Sequence, residues 1–255
     1  MNAEEYRFLY ELEEGHWWFV GMRKIVAALL DPFILPGPLR ILDVGCGTGL
    51  MLSWWRGRRG TESVFGADIS PVALQFCTRR GLRLLAQASV AGLPFAAESF
   101  DVVTTFEVLD WFTTEKVQGP VSELSRVLRP GGLLVLRVPA FEWLYSEHDK
   151  AIGTVHRYTA PELRQALVAQ GLVLERLTYA NALLFPLAVA WRWLHRSPGP
   201  APQSDVRPLP KGLHWLNLPL TGLLALEAAW LRHITWQLPF GLSLLAVARK
   251  GSGRH

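Results

Sequence analysis

The stretch ILDVGCGTG, Ile41–Gly49, constrains the fold more than any other part of this chain. An apolar run of strand length is followed at once by three glycines, and such a loop between a buried strand and a helix is typical of parallel sheets that bind nucleotides. From Arg40 to Arg137, short β-branched or leucine-rich runs alternate with helical stretches. This alternation predicts parallel βαβ units and therefore an α/β protein.

Strands and helices can be assigned from the pattern of apolar residues. The predicted strands are Arg40–Val44, Ser63–Ala67, Leu82–Ala86, Phe100–Phe106, Leu133–Val138, Leu172–Leu177 and a seventh from Gly241. The predicted helices begin near Leu50 and at Pro71, cover Thr114–Leu128, and begin again near Thr159 or Ala160 with Gly171 past the end. Serine, proline and glycine are the start and stop signals. Between the last two strands, two apolar helical stretches flank a proline-rich linker at 196–212.

The composition argues against several classes of protein. The formal charge of +4 is modest, and Lys and Arg are scattered without the interleaved aromatic residues that stack on bases, so no nucleic-acid partner is predicted. No run of 18 or more apolar residues is free of charge, and the N-terminus is acidic and helical rather than signal-like. Cys46 and Cys77 lack CxxC spacing and a nearby histidine, so neither a disulfide framework nor a metal site is predicted. We expect a cytoplasmic protein.

The glycine loop lacks the residues that hold phosphates. It has no lysine, which a GxxxxGK[ST] loop requires, and its GxGxG spacing differs from the GxGxxG of dinucleotide sites. Asp43 stands two residues before the first glycine, where an acid repels pyrophosphate and attracts an ammonium group. Asp68 ends the next strand, where a carboxylate can accept both hydroxyls of a ribose. A ribose with a cationic group and no phosphate describes S-adenosylmethionine.

Four motifs in order, ILDVGCGTG, VFGADIS, LPFAAESFDVV and SELSRVLRPGG, resemble those of the class I S-adenosylmethionine-dependent methyltransferases. The resemblance implies a Rossmann-like α/β fold, a seven-stranded sheet in the order 3-2-1-4-5-7-6 with strand 7 antiparallel and helices on both faces. It also implies a set of cofactor-binding residues: Asp43, Gly45, Cys46 and Gly47 at the methionine part, Asp68 at the ribose, Ile69 at the adenine, Ser89 and Val90 near the adenine amine, and Phe106 and Glu107 lining the pocket. The alternatives are a plain tight turn at the glycines, a helix cap at Asp68 and a solvated Glu107.

The acceptor side should lie in the loops after the fourth and fifth strands. In the first loop, Asp110 and Trp111 stand where many relatives have Glu-His, so no metal is predicted, and Asp110 is as well explained as a polar rim residue as a base. The second loop holds the predicted catalytic residues, which could abstract a proton or orient an oxyanion: His148, Asp149, His156, Arg157 and Tyr158. In the alternative, Arg157 and Tyr158 anchor the loop by structural hydrogen bonds.

Two segments outside the four motifs bear on the acceptor. The stretch EEGHWWF resembles part of a helical N-terminal lid in one subset of the family, where His16 and Trp17 would close over the cofactor; packing of the indoles on the core is the alternative. The insert carries tryptophans with basic neighbours, as in helices that lie on a membrane: Trp191, Trp193, Trp215, Trp230 and Trp236 with Arg192, Arg196, Lys211 and Arg232. The alternative is that these helices cover the sheet or a dimer face.

The sequence thus predicts a lid over 1–39, a cofactor-binding core over 40–180, an apolar helical insert over 181–239 and a last core strand over 240–250. The predicted function is S-adenosylmethionine-dependent methyl transfer, at an oxygen of a small or lipid-like acceptor. The protein would be a monomer or homodimer with peripheral contact to the inner face of the membrane through 182–238. The rival functions are a non-catalytic, membrane-associated cofactor-binding protein and a nucleic-acid methyltransferase, which FEVL after the fourth strand disfavours because it is neither NPPY-like nor a catalytic-cysteine motif.

Overall fold

The computed structural model describes residues 3–34, 37–59, 63–194, 208–210, 212–234 and 236–251. Its α-helices are α1 Ala3–Leu12, α2 Trp17–Leu30, α3 Leu50–Arg59, α4 Pro71–Arg79, α5 Gln118–Val127, α6 Glu147–Ile152, α7 Ala160–Val168, α8 Phe185–Leu194 and α9 Asn217–His233. Its strands are β1 Ile41–Val44, β2 Val64–Asp68, β3 Leu85–Gln87, β4 Phe100–Phe106, β5 Leu128–Pro139, β6 Leu172–Ala180 and β7 Ser243–Lys250.

Within the described residues the strands form one seven-stranded sheet in the order β3-β2-β1-β4-β5-β7-β6. Strand β1 pairs in parallel with β2 and β4, whereas β7 runs antiparallel to both β5 and β6. The predicted order and the antiparallel seventh strand are therefore confirmed. Every residue of β1 is buried, as expected for a central strand covered on both faces. The carboxyl ends of β1, β2, β4 and β5 meet at one edge of the sheet, where α/β folds bind their ligands.

Some element boundaries differ from the prediction for identifiable reasons. Strand β5 begins at Leu128 rather than Leu133, because Leu128 already pairs with Phe100 before the ladder shifts register. Helix α5 begins four residues later than predicted, with Pro120 in its first turn. The short helix α6 was not predicted; it begins with a capping box in which the Asp149 carboxylate accepts from the Ser146 backbone N–H at 2.8 Å.

Helix α2 of the N-terminal region packs against helix α9 of the insert. A Cβ atom on Gly21 would lie 2.3 Å from Leu224 Cδ1, so the two helices approach as closely as they do only because position 21 has no side chain. At the start of α2 the Trp17 backbone N–H donates to Asn217 Oδ1 of α9 at 3.3 Å. The predicted lid and the predicted insert are therefore in direct contact.

A buried carboxylate joins α9 to the start of the insert, directly after β6. Glu227 of α9 is fully buried and accepts from the backbone N–H groups of Ala182 and Leu183, at 2.9 and 3.1 Å. Residues 196–207 and 211 of the predicted linker, with Arg196 and Lys211, lie outside the described residues, as do the side chains of Trp191, Arg192 and Trp193. No helix in the described ranges has the length and apolar character to cross a membrane.

Candidate active site

The glycine loop after β1 is a tight turn whose three glycines all have positive φ values and differ in their surroundings. Gly45, Gly47 and Gly49 have φ values of +72°, +52° and +86°, which glycine adopts readily. A Cβ at Gly45 would lie 2.1 Å from Val108 Cγ2 and one at Gly49 would lie 2.7 Å from Leu82 Cδ1, so these two glycines serve packing. A Cβ at Gly47 would meet no atom within 4 Å, so the space above Gly47 is open to a ligand.

Asp43 is a buried acid at the end of β1. Asp43 is 3% exposed, and its Oδ1 accepts a hydrogen bond from Thr104 Oγ1 at 2.5 Å. Burial raises the pKa of Asp43 to about 7; the hydrogen bond from Thr104 opposes this shift and the charge of Asp68 adds to it. A cation beside this carboxylate would relieve the cost of burying its charge, so the site fits an ammonium group.

Asp68 joins the glycine loop to the start of helix α4. Its Oδ2 accepts from the Gly47 backbone N–H and its Oδ1 from the Ser70 backbone N–H, both at 2.8 Å. Ser70, rather than Asp68, is the N-cap of α4, since its side chain accepts from the Ala73 backbone N–H. Burial raises the pKa of Asp68, and each of its oxygens keeps a second lone pair that a hydroxyl can use. The carboxylates of Asp43 and Asp68, with the open space above Gly47, thus fit S-adenosylmethionine.

The residues predicted around the adenine differ in their exposure. Ile69 is 62% exposed beside Asp68, so an apolar surface is available to a base. Ser89 Oγ accepts from the Ala91 backbone N–H at 3.2 Å in a tight turn, and Val90 is buried in the core. Cys46 is buried too, with its Sγ 3.8 Å from Cys77 Sγ. For Val90 and Cys46 the structure shows packing contacts.

Phe106 and Glu107 lie at the end of β4 beside Arg137 of β5. Arg137 Nε donates to Glu107 Oε1 at 2.6 Å and 29% of the Glu107 side chain is exposed, so Glu107 is ion-paired as well as partly solvated. The Arg137 guanidinium also lies over the rings of Trp18 and Phe106, at 4.8 and 5.3 Å. Glu107 has φ of +56°, an uncommon backbone conformation for a residue with a side chain. Such conformations cluster at functional sites.

Asp110 is buried, so its interpretation as a polar rim residue is wrong. It is 1% exposed; its Oδ2 accepts from Thr154 Oγ1 at 3.0 Å, whereas its Oδ1 has no hydrogen-bond partner within the described part of the chain. Burial, with a further contribution from the charge of Glu107, raises the pKa of Asp110 to about 7. A carboxylate of this kind can take a proton near neutral pH.

Three of the predicted catalytic residues make structural contacts. Arg157 Nε and Nη2 each lie 2.8 Å from Asp149 Oδ1, and Arg157 Nη1 donates to the Ala140 carbonyl at 3.0 Å; both side chains are buried. The hydroxyl of Tyr158 is near the carbonyls of Leu109 and Phe112, at 3.1 and 2.8 Å, and burial raises its pKa. These contacts support the alternative in which Arg157 and Tyr158 anchor the loop.

The two histidines of the same loop are more accessible. His156 has 19% of its side chain exposed, with Nδ1 3.3 Å from Glu142 Oε2 and Nε2 3.6 Å from Glu162 Oε1. His148 on α6 is half-buried. Asp110 accepts backbone hydrogen bonds from Val155 and His156, at 2.8 and 2.9 Å, so the loops after β4 and β5 come together here.

Sequence reasoning missed the contact between the glycine loop and the region before β1. Thr48 Oγ1 donates to Glu13 Oε1, and Glu13 is buried. His16 is the N-cap of α2 and is buried as well, its Nδ1 accepting from the Trp18 backbone N–H at 3.4 Å. The local signal was a pair of acids two residues before the aromatic run, and such a pair does not predict a contact with a residue 35 positions away.

Comparisons with known proteins agree with this geometry. Residues 42–136 match the family model described as a methyltransferase domain. The chain is 32% identical over 130 residues to tRNA (carboxymethyluridine(34)-5-O)-methyltransferase of Arabidopsis thaliana, covering 51% of this chain and 30% of that protein. It is 34% identical over 128 residues to malonyl-[acyl-carrier protein] O-methyltransferase of Enterobacter lignolyticus, covering 50% of this chain and 43% of that protein. The chain thus spans less than half the length of these two relatives.

A solved structure supports the fold assignment. Geranyl diphosphate C-methyltransferase from Streptomyces coelicolor A3(2), solved with S-adenosylhomocysteine, matches 88% of this chain and 78% of its own with a TM-score of 0.59 at 17% identity. That similarity concerns the fold, while the family match covers the glycine loop, Asp68 and Glu107. Residues 42–136, which carry Asp43, the glycine loop and Asp68, therefore form a class I S-adenosylmethionine-dependent methyltransferase domain.

Proposed function

We propose that this protein transfers a methyl group from S-adenosylmethionine to an oxygen atom of a small or lipid-linked acceptor. The observation that carries the proposal is that three features lie together: the buried acid Asp43, the open space above Gly47, and the Asp68 carboxylate, which is positioned to accept ribose hydroxyls. The relatives at 32% and 34% identity are both named as O-methyltransferases, which supports oxygen as the acceptor atom.

The residues of the chain divide the work of holding the donor. The Asp43 carboxylate would pair with the ammonium group, Asp68 would accept the ribose hydroxyls with its remaining lone pairs, and Ile69 would contact the adenine. The donor supplies an electrophilic methyl group on a sulfonium, whose sulfur becomes neutral when the methyl leaves. Because no negative leaving group develops, the task of the protein is positioning and, for a hydroxyl acceptor, removal of one proton.

Asp110 is the group that the geometry favours as the proton acceptor. Its Oδ1 has no partner among the described residues, and its raised pKa of about 7 suits a base that works near neutrality. In this proposal the acceptor oxygen loses its proton to Asp110 and forms the new bond to the methyl carbon as the carbon–sulfur bond breaks. His148 and His156 remain proposed contributors to the same site. Asp149, Arg157 and Tyr158 would fix the loop around the site through their hydrogen bonds.

The insert supports an apolar or lipid-linked acceptor. Leu187 of α8 and Leu218 and Leu226 of α9 are between 67% and 80% exposed, and Trp215 is 65% exposed. Exposed apolar side chains in this number, with Arg232 and His233 exposed at the end of α9, resemble the surface of helices that lie on a membrane. We propose that the insert contacts the inner face of the membrane, where such an acceptor would be found.

Two assays test the proposed function. In calorimetry with S-adenosylhomocysteine, the wild type should bind and Asp68→Ala should bind at least about tenfold more weakly, because two charge-assisted hydrogen bonds to the ribose are lost. In a cell extract with methyl-labelled donor, the label should enter the organic phase, and Asp110→Asn should slow transfer by about 10²- to 10⁴-fold while leaving S-adenosylhomocysteine binding unchanged. No binding by the wild type contradicts the donor assignment. Label in RNA would instead favour a nucleic-acid acceptor, and binding without any transfer would favour a non-catalytic protein.

A further inference from the structure

The N-terminal segment, defined here as residues 3–30, contacts the glycine loop through one buried carboxylate. Glu13 lies between α1 and α2 and is 6% exposed. Its Oε1 accepts from the Thr48 hydroxyl and from Arg80 Nη2, the latter at 2.7 Å. Thr48 stands between Gly47 and Gly49, so the contact is made at the turn whose open side faces the donor.

Arg80 extends this contact into a three-way junction. Its Nε donates to the Thr48 carbonyl at 2.9 Å, its Nη1 pairs with Glu14, and its guanidinium lies 4.3 Å from the centre of the Tyr10 ring. Only 6% of the Arg80 side chain is exposed. The junction therefore joins the N-terminal segment, the glycine loop and the end of α4. Its Glu13–Arg80 pair is shielded from water, where removal of one charged partner is costly, whereas Glu14 is exposed.

A second contact reaches the other half of the donor pocket. Tyr6 of α1 is buried against Ala73 and Phe76 of α4. Burial raises the pKa of Tyr6, the negative charge of Asp68 raises it further, and a hydrogen bond with the Ser70 side chain lowers it. The hydroxyl of Tyr6 thus bonds to Ser70, whose backbone N–H donates to the carboxylate assigned to the ribose.

We propose that the N-terminal segment is a clasp on the donor site and that Glu13 is its positioning residue, so that donor binding and attachment of the segment strengthen each other. The reason is thermodynamic linkage. A Thr48 turn already held by Glu13 loses less conformational freedom when the donor binds, and a bound donor must then favour the attached segment by the same factor. The inference rests on the proposed function only in taking the glycine loop as the donor site.

Hydrogen exchange of the wild-type protein tests the linkage without any substitution. S-adenosylhomocysteine should slow exchange of the backbone amides of residues 3–16 as well as those of the glycine loop. If the ligand protects the glycine loop and leaves residues 3–16 unchanged, the clasp is contradicted while the donor site stands.

Substitution of Glu13 tests its role directly. Glu13→Gln should weaken binding of S-adenosylhomocysteine by about 5-fold or more, within the range usual for linked sites, and abolish the ligand-dependent protection of residues 3–16. Glu11→Gln is the matched control, because it makes the same chemical change at an exposed position of the adjacent helix α1. Thr48→Val removes the other partner, and the double variant should bind no more weakly than the weaker single variant.

The outcomes separate the clasp from a purely structural role. Circular dichroism and thermal unfolding without ligand establish that each variant is folded. If Glu13→Gln binds S-adenosylhomocysteine as tightly as Glu11→Gln does, or if the effects of Glu13→Gln and Thr48→Val simply add, Glu13 is not the positioning residue. Failure of the wild type to bind would overturn the donor site itself and the clasp with it.

Discussion

Asp43 is the single residue whose environment bears most directly on how the donor would bind. Its pKa of about 7 lies well above the usual value near 4, so between these two pH values the folded protein holds a proton that the unfolded chain has released. The free energy of unfolding should therefore fall as pH rises through this window. A bound ammonium group should lower the pKa of Asp43, because it favours the ionised carboxylate. Binding should therefore release a proton.

This linkage predicts that donor affinity depends on pH. The dissociation constant for S-adenosylhomocysteine, measured by calorimetry between pH 5.5 and pH 7.5, should decrease as pH rises, by up to about tenfold per pH unit below the pKa of Asp43. Asp43→Asn should bind more weakly and lose most of this dependence, whereas Glu11→Gln should keep it. An affinity of the wild type that is flat over the same range would contradict pairing of Asp43 with an ammonium group.

At the scale of single elements, the contact between α2 and α9 decides how the N-terminal region and the insert are held. The two helices meet at Gly21 and Leu224, and the buried Glu227 fastens α9 to the start of the α8 segment. Glycine lowers helix stability, so its presence in the middle of α2 is explained by the close approach of α9. Gly21 therefore lowers the intrinsic stability of helix α2, and the close packing of α2 against α9 offsets this loss.

The same glycine-to-alanine change should have opposite effects at two positions of this helix pair. Gly21→Ala should destabilise the protein by about 1–3 kcal/mol, because the new Cβ would overlap Leu224. Gly222→Ala on α9 should stabilise it by about 0.4–1 kcal/mol, because its Cβ would meet no atom within 4 Å. Urea unfolding followed by circular dichroism measures both. Stabilisation by both substitutions would show that α2 and α9 do not pack as closely as described.

For the whole molecule, the insert carries exposed apolar side chains and also contributes Phe185 of α8 to an aromatic cluster. Phe141 after β5 stacks on Tyr179 with ring centres 4.6 Å apart, and Phe185 of α8 lies 6.1 Å from Phe141 and 5.3 Å from Phe240. Phe240 and the neighbouring Trp143 are exposed. Under the proposed function, this cluster would provide apolar contacts to the acceptor where the insert meets the sheet.

Vesicle flotation tests whether this surface contacts a membrane. The triple variant Leu187→Glu, Leu218→Glu, Leu226→Glu should partition into vesicles containing anionic lipid at least about tenfold less than the wild type, because each leucine contributes about 1.5–3 kcal/mol when fully buried in an apolar phase. The control is Val168→Glu, Val173→Glu, which changes two exposed apolar residues of α7 and β6. If both variants float as the wild type does, the insert does not carry the membrane contact.

The sequence by itself determined the parts of this protein whose signals are local. A glycine spacing, an acid two residues before it, an acid at the next strand end and the alternation of strands and helices lie within short windows. They predicted parallel βαβ units and the candidate donor residues Asp43 and Asp68, whereas the sheet order followed from the resemblance to the class I methyltransferases. Local periodicity and turn chemistry can be read without knowing what packs on them.

Only the tertiary structure decided which of the candidate polar residues make structural contacts and which are buried. Tyr158 reaches Leu109 and Phe112, Glu13 reaches Thr48 and Arg80, and Asp110 becomes buried because another loop covers it. A side chain seen in sequence has the same chemistry in either role. Its role depends on partners that are distant along the chain, and the sheet brings those partners together because its strands are joined in an order different from that of the sequence.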